Sequence, residues 1–130
     1  MAPELSRRRG KYNRHSAASV DPKVLDLEHL GRYTIGNREL EEELLRLFRT
    51  QLRTQSQILA EARDAEAWRF ATHTLKGVAR AIGAWAIAET AEQLEHLGHA
   101  CDMARRRRVL QALEGQIAAC EREIAQIIGR

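Results

Sequence analysis

From Val109 onward the apolar residues Val109, Leu110, Leu113, Ile117, Cys120, Ile124, Ile127 and Ile128 recur at three- and four-residue steps. That spacing keeps one stripe of an α-helix turned inward over about five turns. A stripe of that length has to be covered by other helices. Three further segments supply them. Leu40, Leu44, Leu47, Phe48, Leu52, Ile58 and Leu59 read as the buried stripe of one long helix, and Trp68, Ala71, Leu75, Ala79 and Ile82 as that of the next. Residues 84–96 bury Ile87, Ala88, Ala91 and Leu94, with alanine allowing close helix approach. Asn37, Asp64 (without a capping box) and Asp102 stand where N-caps belong, while Gly83 and Gly98 stand at the exits. Residues 24–33 carry Val24, Leu25, Leu27 and Leu30, enough for a short helix laid over one end, with Gly31 and Gly36 bracketing its exit. The expected fold class is all-α: an antiparallel up-and-down four-helix bundle with a short additional N-terminal helix.

Composition agrees. A chain of 130 residues with 2 prolines has room for one modest core, and no segment reads as a strand. The formal charge of +3 is unevenly placed: residues 1–23 hold six Lys/Arg against two Asp/Glu, leaving fifteen basic and sixteen acidic residues in the body. Residues 1–23 therefore read as a flexible basic arm that stops at Asp21-Pro22, and residues 24–130 as the helical domain. A nearly neutral body argues against a nucleic-acid-binding face. Arg7-Arg8-Arg9 is not followed by the apolar core of a signal peptide, and charge breaks every apolar stretch, so a soluble cytoplasmic protein without a membrane partner is expected. Cys101 and Cys120 would lie roughly 28 Å apart along one straight helix and could not pair there. Cys120 falls on the apolar stripe as a small buried thiol.

The chemistry concentrates in the second long segment. With Trp68, Ala71, Leu75, Ala79 and Ile82 facing inward, His73, Lys76, Gly77 and Arg80 fall on the other side. Gly77 costs about 1 kcal/mol relative to alanine inside a helix, so its bare surface calls for a reason such as close approach by a partner. Phe70 lies near Gly77 on the wheel and is either an apolar docking rim or a boundary position of the bundle. Val78 falls toward the core edge.

This run resembles the phosphorylation-site signature of histidine-containing phosphotransfer (HPt) domains, His-x-x-Lys-Gly followed six residues later by glycine, on His73, Lys76, Gly77 and Gly83. The likeness extends to Leu27, Leu30, Gly36, Glu39-Leu40, Leu44 and Phe48, and to Leu94-Glu95, covering roughly residues 25 to 128. It departs at Val78, where the family commonly has a small residue. The resemblance implies a four-helix bundle and a phosphorelay intermediate that is not an enzyme with kinase activity of its own: His73 accepts a phosphoryl group from a receiver-domain aspartate and passes it on. Its partners would be receiver domains of response regulators and hybrid histidine kinases. The resemblance also implies no cofactor of its own, with Mg²⁺ supplied by the receiver. Lys76 and Arg80 would stabilise the phosphate, and Gly77 would admit the partner. Glu95 matches the residue that bonds the nonphosphorylated imidazole nitrogen, often a neutral glutamine. A carboxylate there would hold the N–H more strongly, raise the imidazole pKa and slow transfer below pH 7, as a hypothesis.

Other features carry plainer readings. His96, His99 and Cys101 resemble metal ligands only loosely, so no metal site is expected, and His15 and His29 have no context. Arg105 to Arg108 wrap around a helix, reading as a solvated face with one arginine snorkelling, or else a partner or RNA contact. Beside the relay stand two other functions: a noncatalytic adaptor that binds or sequesters a response regulator, and a small helical nucleic-acid binder. The buried stripes suggest a monomer.

Overall fold

The computed structural model describes residues 21–129, which form five helices and no strand. They are α1 (Leu27–Thr34), α2 (Arg38–Ala60), α3 (Ala65–Ile82), α4 (Trp85–Leu97) and α5 (Met103–Ile128). From α2 to α5 each helix packs on the next, and α5 closes the ring against α2. Short connections make successive helices antiparallel, so this is the up-and-down bundle that the stripes predict. The short α1 lies against α2 and α3. Of the arm expected over residues 1–23, all but residues 21–23 lie outside the described residues, as does His15.

Local sequence explains most helix ends. Asp26, Asn37, Asp64 and Asp102 each accept a backbone N–H three residues on, from His29, Leu40, Ala67 and Arg105. Helix α4 begins at Trp85 after Ala84, an N-cap residue with no side-chain capping bond. One of its orphan donors is met instead by the N-terminal segment, the Ala86 N–H donating to the Lys23 carbonyl at 2.9 Å.

Two sequence expectations need correction. The first helix begins at Leu27, because the Val24 and Leu25 N–H groups bond back to the Asp21 carbonyl as a turn before Asp26 caps the helix. The stripe expected for α2 merges two faces. Leu45, Leu52 and Leu59 are buried at seven-residue spacing, whereas Leu40, Leu47 and Ile58 are exposed. The exposed set lies roughly 125° round the helix from the buried one. Spacing alone left the choice of register open, because leucine occupies both faces. Tertiary partners distinguish them: buried Glu41 accepts the Thr34 hydroxyl at 3.3 Å, and Arg53 reaches Glu114 and Glu121 of α5 at 2.8 Å each.

The stripes of α3, α4 and α5 are buried as expected, from Trp68 to Ile82, Ile87 to Leu94 and Leu113 to Ile127. Trp68 joins three elements: its indole N–H donates to the Leu94 carbonyl at 2.8 Å, and the Arg106 guanidinium stacks 4.9 Å from its ring centroid. Arg106 is thus the snorkelling arginine of the basic run. Cys120 is fully buried, and that burial pushes its thiol up to about 12.

The α3–α4 corner is a joint with the N-terminal segment. Gly83 has φ +80° and closes α3 with a Schellman pair of bonds, Ala84 N–H to Ala79 and Gly83 N–H to Arg80. Its carbonyl accepts the Asp26 N–H at 2.9 Å, and a Cβ on Gly83 would stand 2.8 Å from Asp26 Cβ. Asp26 also takes the Trp85 indole N–H at 2.9 Å. Burial works to raise the Asp26 carboxyl, but the N–H groups of Trp85 and His29 outweigh it and hold it below its ordinary 3.8.

Two outcomes follow. Gly83→Ala should destabilise the fold by about 2 kcal/mol or more through positive φ and overpacking, seen as a lowered urea midpoint. An unchanged midpoint would contradict the joint. Because the folded Asp26 carboxyl lies below its unfolded value, its contribution is complete above 3.8 and is lost as pH falls through the folded value. The stability gap between the parent and Asp26→Asn should therefore shrink on acidification below about pH 4, checked by denaturation at stepped pH.

Candidate functional site

Burial of Trp68, Ala71, Leu75, Ala79 and Ile82 fixes the rotation of α3 and leaves His73 outward, with its side chain 73% exposed. Imidazole Nδ1 faces Glu95 of α4, 3.8 Å from Oε2. That is too long for a hydrogen bond, and Nε2 makes none among the described residues. The short contact of Glu95 is with Lys76, whose Nζ lies 2.7 Å from Oε1. This Lys76 bond chiefly holds the Glu95 carboxyl below its ordinary 4.5, with burial acting against it.

One turn further, Arg80 reaches Glu92 at 3.4 Å in a more exposed pair. Lys76 and Arg80 are four apart on α3, Glu92 and Glu95 three apart on α4, and antiparallel packing matches them as two rungs. Arg80 stands about 10 Å along the helix from His73, so its influence there is long range.

Gly77 sits one turn after His73, and a Cβ built there meets nothing within 4 Å. No contact among the described residues requires glycine at this position. Phe70, one turn before His73, is 65% exposed, which places it outside the bundle boundary. Val78 is partly buried against the core edge. The face around His73 thus combines an exposed imidazole, a cleared helix surface, an apolar ring and a seam of paired charges.

A comparison with protein-family models matches the Hpt domain over residues 43–127, from within α2 to the end of α5. The chain belongs to the Hpt domain family. Comparisons with curated proteins and with solved structures gave no match. Hpt domains serve histidine phosphotransfer in two-component phosphorelays, interact with receiver domains and are generally phosphocarriers without kinase activity. No helix among the described residues is long and apolar enough to cross a membrane.

Within this Hpt domain the two glycines of the signature do different work. Gly83 is demanded by backbone geometry and by Asp26, whereas the fold leaves Gly77 optional. Sequence reading missed Glu92, although its offset from Glu95 answers the offset of Arg80 from Lys76 on an antiparallel neighbour. It also missed His29, whose Nε2–H donates to the Arg80 carbonyl at 2.9 Å and whose ring meets Trp85 edge-on at 4.8 Å. No sequence period signals that contact, since it spans the joint. Of the other described histidines, His96 bonds within its own helix, Nδ1–H donating to the Glu92 carbonyl, whereas His99 Nε2–H donates across the bundle end to the carbonyl of Ala62.

Gly77→Ala should leave the fold as stable as the parent or stabilise it by up to about 1 kcal/mol, because alanine is the better helix former and the site is open. A lower thermal midpoint would contradict this reading of the surface.

Proposed function

We propose that His73 accepts a phosphoryl group from the aspartyl phosphate of one receiver domain and donates it to the aspartate of another. The observation that carries this reading is an exposed imidazole beside a glycine that nothing in the bundle requires. In its neutral Nδ1–H tautomer the imidazole keeps a lone pair on Nε2. That lone pair attacks phosphorus as the P–O bond to the receiver aspartate breaks, the electron pair staying with the aspartate carboxylate. Nδ1 keeps its proton, and donation is the reverse step. Mg²⁺ and the aspartate pocket belong to the receiver, so this chain supplies the nucleophile and its setting.

Lys76 offsets phosphoryl charge, and Arg80 extends the positive field at longer range. Glu95, 3.8 Å from Nδ1, favours the Nδ1–H tautomer electrostatically and is placed to take up that N–H as the ring gains charge. Gly77 lets the receiver approach the helix. Phe70 forms the apolar rim of the docking face, a reading supported by its exposure and by the exposed Leu40, Leu47 and Ile58, which lie on the side of α2 away from Arg53 and α5. The carrier would act as a monomer in the cytoplasm.

Purified protein mixed with prephosphorylated receiver domains and Mg²⁺ should acquire acid-labile, alkali-stable label, absent from His73→Gln. Gly77→Ala should slow transfer at least about tenfold while the fold stays intact, because a methyl obstructs close approach. Tight receiver binding without labelling would favour an adaptor instead.

A further inference from the structure

One carboxylate serves two neighbours at the α3–α4 seam. Glu95 Oε1 holds Lys76 Nζ at 2.7 Å while Oε2 faces His73 Nδ1 at 3.8 Å. The Lys76 side chain is only 16% exposed, so the ammonium is engaged and sheltered before any phosphoryl group arrives. The geometry points to a cation exchange built into the site: Glu95 holds Lys76 in the unphosphorylated protein, and phosphorylation of His73 draws Lys76 onto the phosphoryl oxygens, leaving Glu95 to the imidazole Nδ1–H. The inference rests on His73 being the phosphoacceptor and makes Glu95 a positioning residue that acts through Lys76.

The charges drive the exchange. When the Nε2–P bond forms with Nδ1 still protonated, the ring gains positive charge beside Glu95 Oε2. At the same time close to two negative charges arrive one helical turn from Lys76. Glu95 is then better matched to the ring, and Lys76 to the phosphoryl group. The lysine stem can swing between them without moving the backbone. Its present hold is firm, since the Lys76 bond keeps the Glu95 carboxyl below its ordinary range. Arg80 is engaged one rung away by Glu92, in a longer and more exposed pair. A neutral amide at position 95 would compete less for Lys76, so the carboxylate shortens the life of phosphorylated His73 by contesting its counter-ion.

The full chain, carrying ¹⁵N-lysine, is labelled with phosphoramidate, whose P–N bond breaks and releases ammonia as the Nε2–P bond forms. Lys76→Met assigns the Lys76 ammonium signal. The expected result is a shift of that signal on phosphorylation, together with a phosphohistidine lifetime about fivefold longer in Glu95→Gln near neutral pH. In the Lys76→Met background the same Glu95→Gln change should alter the lifetime less than about twofold. An unmoved Lys76 signal in fully labelled protein overturns the exchange, and so does an equal Glu95→Gln effect with and without Lys76. A folded parent that takes no acid-labile label removes the phosphoacceptor reading and the exchange with it. Label with a static Lys76 removes only the exchange.

Discussion

Everything at the His73 face depends on the rotation of α3, and that rotation is set by burial. Trp68, Leu75 and Ile82 are essentially withdrawn from water, and fully burying large apolar side chains of this kind stabilises by roughly 1.5–3 kcal/mol each. Turning α3 to bury His73 would expose that stripe and strand an imidazole in an apolar core. The imidazole is therefore held outward by the burial of residues on the opposite side of its helix. Trp68 adds an axial lock through its bond to the Leu94 carbonyl, which ties α3 to the helix carrying Glu95 and Glu92. The relative height of the two helices, and so the matching of Lys76 with Glu95 and Arg80 with Glu92, follows from packing and from this bond.

The seam is also an electrostatic arrangement with a particular economy. Isolated exposed pairs contribute little to stability, typically below about 1 kcal/mol, and Arg80–Glu92 belongs in that class. Lys76–Glu95 differs in being short and sheltered. Its consequence lies less in holding the helices together than in setting which charges stand beside the imidazole. The Lys76 ammonium on this face is already committed to a carboxylate.

Much of this was legible in the sequence, for physical reasons. Periodicity at three and four residues reports burial directly, so the stripes of α3, α4 and α5 and the outward placement of His73 could be read from spacing. The caps at Asn37, Asp64 and Asp102 were readable because capping is a local contact within three residues. Helix α2 was misread where leucine occupies two faces and only distant partners, Thr34 with Glu41 and Arg53 with α5, distinguish them. Residues such as Asp26, His29 and Glu92 were opaque for the same reason. Their roles arise between elements far apart in the chain, and no local pattern encodes such a meeting. The roles at the seam were also only partly visible. A signature placed Lys76 and Glu95 near His73, but not the short bond between the two.

The joint at the α3–α4 corner bears on how this domain could be moved between proteins. The span shared with other Hpt domains begins at residue 43, yet the Lys23 carbonyl serves as the cap that Ala84 cannot provide, and Asp26 meets both Trp85 and Gly83. A graft trimmed to the shared span would carry α4 with an open first turn and an indole N–H without its acceptor. The transplantable unit is accordingly larger than the recognisable one. It takes in at least Lys23 and Asp26, whose hydrogen bonds reach the α3–α4 corner from upstream of the matched span.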